Sequence, residues 1–233
     1  MKTIDLYNQA KFHTTLTKEA RQPISWWRRK KNKPCIAMDT ETTGLYFGLP
    51  TYHCISIPVD NSERKAYEYI ATLIHDVKVF GISAAIEFNG VVNLYWGRFG
   101  SPLYTLLVKL MGTEGPKCFH NARYDLKACK ASDIYLAEKI HCTYTMSRIY
   151  WDRRKAHKLE KLAEFVCPEL CCWEHELGDT YKALRRMFKK EGYDDNYVNY
   201  SFIDDEVISK YAMIDAFLCL MLWQQMNGEA KWV

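Results

Sequence analysis

The sequence predicts an α/β protein built on a mixed β-sheet. Three observations support this class: an apolar run that ends in "CIAMDTET", a probable hairpin around Asn89-Gly90, and a later alternation of short apolar runs with segments of helical spacing. The chain has 233 residues, and 48% of them are hydrophobic. That is enough apolar material for one large domain or two small ones.

The first 34 residues are polar and end in "WWRRKKNKP", where two tryptophans stand beside five cationic residues. Such a segment could contact a nucleic-acid backbone and stack a base, or it could be a solvated charged run ahead of the first strand. We expect residues 1–33 to form a basic N-terminal extension and residues 34–233 to form the main domain.

The other elements follow in order along the chain. Asn89-Gly90 is a strong turn signal between two antiparallel strands, and Ser101 is suited to begin a helix. The expected elements are a strand over residues 35–41, a loop or short strand, a helix over residues 65–77, two hairpin strands within residues 79–97, a helix from Ser101, a strand at "KCF" that runs into a helix, several helical or mixed segments, and a long final helix capped by Asp204 or Asp205.

The composition and the N-terminal sequence bear on the solubility and the cellular location of the protein. The N-terminus has no apolar signal-peptide core, and the late apolar stretch "AFLCLMLW" is too short to cross a bilayer. We therefore expect a soluble cytoplasmic protein, of a bacterium or of an infected host cell, with no membrane partner. The net charge of +4 is only a faint hint of a polyanionic partner.

The nine cysteines are scattered and odd in number, which is typical of reduced thiols in a cytosolic protein. One run, "CPELCCWEH", brings Cys167, Cys171, Cys172 and His175 together. It lacks the paired spacings that zinc sites usually show, so free thiols are favoured over a zinc site.

The first strand ends in two acids one residue apart, Asp39 and Glu41. Residues two apart in a strand share a face, so these carboxylates would lie side by side and repel one another. A divalent cation such as Mg²⁺ would offset that repulsion. A solvated strand end, in which neither acid has a role, would also explain the pair.

Further acids stand in unexpectedly apolar or structured settings. Asn121 and Asp125 are four residues apart, on one side of a predicted helix that starts near the carboxyl edge of the sheet, where α/β proteins place their sites. Tyr211 and Asp215 share a face of the last helix, and Asp215 is flanked by apolar residues that disfavour an unpaired charge.

Three segments, taken in order, carry a family resemblance. "DTETTGL", "HNARYDL" and "YAMIDA" resemble the three motifs of the DEDD superfamily of 3′–5′ exonucleases, and the Tyr-x-x-x-Asp spacing resembles its tyrosine-containing subclass. More narrowly, residues 34–223 are similar to the proofreading exonuclease domain of bacterial and phage DNA polymerase I. The resemblance implies a ribonuclease H-like fold, a central mixed sheet wrapped by helices.

The resemblance also implies roles for individual residues. Two divalent cations, Mg²⁺ with Mn²⁺ as a substitute, would be held by Asp39, Glu41, Asp125 and Asp215. Asp39 would bridge the two ions, and Asp125 would reach the second one through water. Tyr211 would orient the attacking water. The substrate would be contacted by Thr42, Leu45, Asn121 and Tyr124, with Leu45 wedged beside the terminal base.

The implied activity is metal-dependent hydrolysis of DNA from its 3′ end, in replication proofreading or DNA processing. Single-stranded or mismatched ends would be preferred, and nucleoside 5′-monophosphates would be released. The chain ends soon after the third motif, so any DNA polymerase would be a separate partner. Two alternatives stay open: an exoribonuclease with the same site, and a nucleic-acid-binding protein that retains only the fold. The sequence departs from the family in a long insertion over residues 47–78 and in having Cys142 where relatives often carry an acid.

Overall fold

The computed structural model describes residues 2–45, 47, 51–59, 66–74 and 76–228. The predicted fold class is confirmed: a mixed six-stranded sheet is flanked by helices on both faces. The strands are β1 (Lys11–His13), β2 (Ile36–Thr42), β3 (Thr51–Val59), β4 (Ala66–Ile74), β5 (Val79–Phe88), β6 (Val91–Arg98), β7 (Lys117–Phe119) and β8 (Ile140–Cys142). The α-helices are α1 (Thr3–Asn8), α2 (Lys18–Arg29), α3 (Pro102–Met111), α4 (Ala122–Ala131), α5 (Thr143–Tyr150), α6 (Leu159–Val166), α7 (Glu174–Lys190) and α8 (Asp205–Met226).

The main sheet has the strand order β1-β6-β5-β2-β7-β8. The strand pairs β2–β5 and β5–β6 are antiparallel, whereas β1–β6, β2–β7 and β7–β8 are parallel. Strand β2 therefore lies inside the sheet, with a neighbour on each side. Strand β7 pairs only with Ile36 and Ala37, so the carboxyl end of β2 has β5 alone as its neighbour.

The hairpin between β5 and β6 confirms the prediction made from Asn89-Gly90. Both turn residues have positive φ, 52° and 77°, as a tight hairpin turn of this kind requires. The helix predicted from Ser101 is also confirmed, because the Ser101 hydroxyl accepts a hydrogen bond from the Tyr104 amide at 3.1 Å and α3 begins at the next residue.

The helix predicted over residues 65–77 is wrong. Residues 66–74 form β4, which pairs with β3 as a separate antiparallel two-stranded sheet. The segment "AYEYIATLI" is rich in aromatic and β-branched residues, which favour a strand. Cross-strand pairing with the preceding nine-residue strand outweighed a pattern that also fitted one face of a helix. The described part of residues 47–78 thus includes a two-stranded antiparallel sheet.

Two apolar cores lie on opposite faces of the main sheet. Helix α8, the longest helix among the described residues, packs with α6 and α7 on one face, and α2, α3 and α4 pack on the other. Asp204 occupies the N-cap position of α8. None of the helices in the described ranges combines the length and apolar character needed to span a bilayer.

The N-terminal segment contributes to the second of these cores. Strand β1 extends the main sheet beside β6, and Trp27 of α2 is fully buried, with its indole N–H donating to the Pro34 carbonyl at 2.7 Å. Trp27 is therefore not available to stack on a base, contrary to one interpretation of the "WWRRKKNKP" run. Trp26 is half-buried against Phe88. The division of the chain at residue 33 stays a prediction.

Candidate active site

Asp39 and Glu41 stand at the carboxyl end of β2, on the same face of the strand. Glu41 is only 6% exposed, and Asp39 is half-buried. The pairing of β2 with β5 shifts register between Glu41 and Thr42, so the strand ends in an irregularity next to the two acids. Such bulges are common beside active sites, where they redirect side chains.

Asp215 reaches the same point from α8. The helix packs across β2 and β5, and Asp215 is 8% exposed within its otherwise apolar middle turns. Carboxylate oxygens of Asp39, Glu41 and Asp215 all lie within 4.8 Å of one another. In the described part of the chain, no other set of three or more His, Cys, Asp or Glu side chains comes so close. The cysteines and the histidine of the run from Cys167 to His175 therefore form no such cluster among these residues.

Asp125 lies beside this cluster but faces a different partner. It is 2% exposed, in the first turn of α4, and its Oδ1 accepts hydrogen bonds from the Thr40 amide at 3.2 Å and from the Thr40 hydroxyl at 2.7 Å. Strand β7 pairs with β2 only as far as Ala37, which leaves the Thr40 amide for Asp125. The fourth acid is thus tied to the residue between Asp39 and Glu41.

The four acids are destabilised by one another as well as by burial. Burial raises the pKa of Asp39 to about 6. Burial, followed by the charges of neighbouring acids, raises the pKa of Glu41, Asp125 and Asp215 well above the usual range. None of the ion pairs seen within the described ranges involves any of these acids. Oxygen ligands without a cationic side chain are the donor set that a hard divalent cation prefers, so the residues fit Mg²⁺ or Mn²⁺.

Two hydrogen-bond donors offset part of this cost at Asp215. The Trp173 indole N–H donates to Asp215 Oδ1 at 2.7 Å, and a hydrogen bond from Tyr211, one turn earlier in α8, also lowers the pKa of Asp215. Burial and the Asp215 charge raise the pKa of Tyr211 well above its usual value. Its hydroxyl therefore keeps its proton and remains a donor at neutral pH.

A cavity of about 800 Å³ opens onto the acids. Thr42, Leu45 and Tyr124, three of the four residues predicted to contact substrate, line it. The Tyr124 hydroxyl lies 2.6 Å from both the Thr42 hydroxyl and the Gly44 carbonyl, which fixes the ring at the cavity wall. Leu45 is 73% exposed at the cavity wall, so its side chain is accessible for contact with a base.

Asn121 is placed differently from the sequence-based expectation. Helix α4 begins at Ala122, and Asn121 is the N-cap residue in the left-handed conformation, with φ of 62°. It is exposed and is not among the described residues that line the cavity. The spacing of four between Asn121 and Asp125 therefore does not place both on one helical face.

The opposite wall of the cavity was not predicted. It comes from α7 and the turns that follow it, through Tyr181, Tyr197, Asn199 and Tyr200. Trp173 was missed as well, because its run was interpreted through its cysteines. Only the unusual density of tyrosine and asparagine over residues 193–200 could have pointed to this wall from the sequence.

Comparison with known proteins identifies the family of this chain. The model of a family described as 3′–5′ exonuclease matches residues 15–231, nearly the whole chain. The chain therefore belongs to the 3′–5′ exonuclease family and is an enzyme of that type, which sets aside the alternative of a binding protein that retains only the fold. Membership of the DEDD superfamily is supported, whereas the narrower resemblance to DNA polymerase I is not.

Solved structures with a similar fold are distant in sequence. One, titled the apo form of the nuclease, is 14% identical over 95% of this chain and 81% of its own, with a TM-score of 0.50. Brucella melitensis NrnC with bound Mg²⁺ is 17% identical over 95% and 81%, with a TM-score of 0.48. Escherichia coli RNase D, titled an exoribonuclease involved in structured RNA processing, is 15% identical over 94% of this chain and 44% of its own, with a TM-score of 0.44. A search of curated proteins found no significant match.

Proposed function

We propose that this enzyme hydrolyses single-stranded nucleic acid from the 3′ end, with two divalent cations held by Asp39, Glu41, Asp125 and Asp215. The observation that carries the proposal is the convergence of two buried carboxylates and one half-buried carboxylate within 4.8 Å, with no cationic side chain paired to them among the described residues. Bound there, divalent cations would activate water and neutralise charge on the scissile phosphate. Asp39 is the acid proposed to be shared by both ions.

The roles of the surrounding side chains follow from their contacts. Trp173 and Tyr211 hold the Asp215 carboxylate, and Thr40 holds that of Asp125. The Tyr211 hydroxyl has one proton to donate, so it is proposed to turn from Asp215 to the attacking water when substrate binds and to orient that water toward the phosphorus. These contacts order the acids before substrate arrives, which reduces the reorganisation needed in the transition state.

The substrate is proposed to enter along the cavity. Leu45 would pack beside the terminal base, and Thr42 and Tyr124 would contact the terminal nucleotide. Asn121 stays a proposed contact for a strand that extends beyond the cavity, in keeping with its exposed position. Release of one nucleoside 5′-monophosphate per turnover follows from attack at the last phosphodiester bond.

We place RNA first as the substrate class and DNA second. The acids act on a phosphate group, which the two share, so discrimination must come from the sugar. Hydroxyl and amide side chains near the acids, among them Thr42, Asn196 and Tyr200, could hydrogen-bond a ribose 2′-hydroxyl. DNA, with proofreading for a separate polymerase, is the second candidate, because it carries the same phosphate group on which the acids would act.

The deciding experiment compares 5′-labelled RNA and DNA single strands of equal sequence, each with Mg²⁺ and with chelator. We expect a ladder that shortens from the 3′ end, requires Mg²⁺ and forms faster on RNA. Asp39→Ala should abolish cleavage while it leaves the thermal unfolding temperature unchanged or raised, since one of several repelling acids is gone. Faster cleavage of DNA would reverse the order of substrates. Undiminished cleavage by Asp39→Ala would refute the site.

A further inference from the structure

The connection between α5 and α6 concentrates positive charge outside the cavity. Residues 148–158, "RIYWDRRKAHK", contain five Lys and Arg residues and a single Asp. The net charge of this short segment, +4, equals that of the whole chain. A strand of phosphates that passes this segment would meet a local excess of positive charge.

Exposed aromatic and aliphatic side chains accompany the charge. Ile149, Tyr150 and Phe165 are 77%, 55% and 50% exposed. The Arg154 guanidinium stacks 4.6 Å from the centre of the Phe165 ring. Arg153 and Lys155 are exposed, and neither forms an ion pair with another described residue. We call these six residues the basic–aromatic patch.

Hydrogen bonds connect this segment to the part of the fold that carries Asp125. The His120 ring donates from Nε2 to the His157 carbonyl at 3.1 Å, and His120 comes two residues before the start of α4. Burial lowers the pKa of His120 to about 4, so the ring is neutral at neutral pH and this contact does not depend on a charge. The Tyr144 ring packs edge-on against both His120 and His157.

The helices on either side of this segment lead to Asp215. Both α5 and α6 pack against α8, the helix that carries Asp215. The segment therefore joins two helices that lie against the element bearing one acid of the centre.

We propose that the basic–aromatic patch binds the single strand upstream of the 3′ end that lies in the cavity. Arg153 and Lys155 would contact phosphates, and Tyr150 and Phe165 would stack bases, the combination by which proteins bind single strands without sequence preference. The proposal rests on the proposed function and extends it. A strand that extends beyond the cavity should bind more tightly than a strand that is short enough to lie within it.

The test compares Arg153→Gln/Lys155→Gln with Arg28→Gln/Lys31→Gln, which removes the same two charges from exposed positions of the N-terminal basic run. The dissociation constant of a fluorescent 20-nucleotide strand is measured by anisotropy at several salt concentrations, with Ca²⁺ replacing Mg²⁺. Cleavage rates of a trinucleotide are measured in parallel with Mg²⁺.

For Arg153→Gln/Lys155→Gln we expect about 10-fold weaker binding of the 20-mer and a log–log salt slope about 1.4 units less steep, at about 0.7 per lost contact. Trinucleotide cleavage should stay at the parental rate, and Arg28→Gln/Lys31→Gln should bind the 20-mer nearly as the parent does. If Arg153→Gln/Lys155→Gln bound the 20-mer with parental affinity, or if both variants lost affinity equally, the basic–aromatic patch would not be the binding site for the strand. Absence of trinucleotide cleavage by the parent would instead count against the proposed function, because the binding measurement does not depend on hydrolysis.

Discussion

At the scale of single residues, Asp215 has a position that disfavours a charged side chain. It is a buried acid in an apolar helix, close to Asp39 and Glu41, and two hydrogen-bond donors of different origin hold it. The Tyr211 donor is local, one helical turn away, whereas the Trp173 donor comes from 42 residues earlier in the chain. Removal of either donor should therefore affect catalysis without removal of a charge.

Tyr211→Phe keeps the ring and its packing and deletes only the hydroxyl. We expect single-turnover cleavage of a short strand to slow by about 10- to 1000-fold, the usual cost of a lost orienting contact. Mg²⁺ affinity should change little, because this hydroxyl is proposed to donate to the attacking water rather than to Asp215 once substrate is bound. Asp215→Ala should be far slower, because it removes a proposed metal ligand. If both variants cleaved at nearly the parental rate, the last helix would not belong to the active site.

Trp173→Phe keeps an aromatic side chain but deletes the indole N–H that donates to Asp215. Partners that orient metal ligands typically contribute about 10- to 100-fold in metal affinity or activity. We expect weaker Mg²⁺ binding, seen both in the Mg²⁺ dependence of the rate and in a smaller rise of the unfolding temperature when Mg²⁺ is added. Trp26→Phe, at another half-buried tryptophan, is the matched control. Equal Mg²⁺ dependence in the two variants would remove Trp173 from the site.

The three acids of the centre could be predicted from sequence because each belongs to a short local pattern, whereas the position of Asp125 depends on its hydrogen bonds to Thr40 of β2. Alternation along a strand puts Asp39 beside Glu41, and the helical repeat puts Tyr211 beside Asp215. Trp173 and the tyrosines of the opposite cavity wall could not be predicted in this way. Their positions depend on how α7 and the turns after it fold back over the sheet, which no local pattern encodes.

At the scale of elements, the register of α8 against the sheet determines where Tyr211 and Asp215 lie. The Arg98 guanidinium, at the end of β6, donates to the Ile203 carbonyl and the Asp205 carboxylate, each at 2.9 Å, and also to the Ser201 carbonyl. The Trp96 indole donates to the same Asp205 carboxylate at 3.1 Å. Strand β6 thus anchors the first residue of α8 and the turn before it.

Arg98→Met should therefore loosen the start of α8. It keeps much of the side-chain volume but leaves two buried carbonyls without this donor, so we expect about 2–3 kcal/mol less stability toward urea. Asp205→Asn should cost less, because the Asp205 side chain is 55% exposed and the carbonyl contacts of Arg98 remain. A larger loss for Asp205→Asn than for Arg98→Met would show that the ion pair, and not the carbonyl contacts, anchors the helix.

Local sequence patterns predicted some of these elements correctly and one of them wrongly. The hairpin of β5 and β6 was predictable because two adjacent residues determine the turn, whereas residues 66–74 fitted either a helical face or a strand. Pairing with β3 decided between them, and that partner was itself expected to be only a loop or short strand. A strand whose partner is not recognised loses the main evidence that distinguishes it from a helix.

At the scale of the whole molecule, the acidic centre should make the stability of the metal-free protein depend on pH. Burial raises the pKa of Asp39 to about 6 from an ordinary 3.8, and those of the other three acids also rise. A raised carboxyl pKa means that the folded state binds protons more tightly than the unfolded state. The corresponding stability is complete below about pH 4 and is lost as pH rises through 6 and above.

We therefore expect these acids to make the urea midpoint of the metal-free protein lower at pH 7.5 than at pH 5.5. Added Mg²⁺ should raise the midpoint mainly at pH 7.5. Asp39→Asn should reduce the difference between the two pH values, since it removes one titrating acid. Equal stabilisation by Mg²⁺ at both pH values, in both proteins, would mean that the acids are not the groups to which the ion binds.

The central claim, that these acids form a metal site, is tested most directly by calorimetric titration of Mn²⁺ into the parent, Asp39→Asn and Asp215→Asn at pH 7.5. Asp133→Asn, at an exposed acid outside the cluster, serves as the control. The parent and the control should bind Mn²⁺ with the same affinity, and the other two variants should bind it at least about 10-fold more weakly. Equal binding by all four proteins, or no binding by the parent, would contradict the claim.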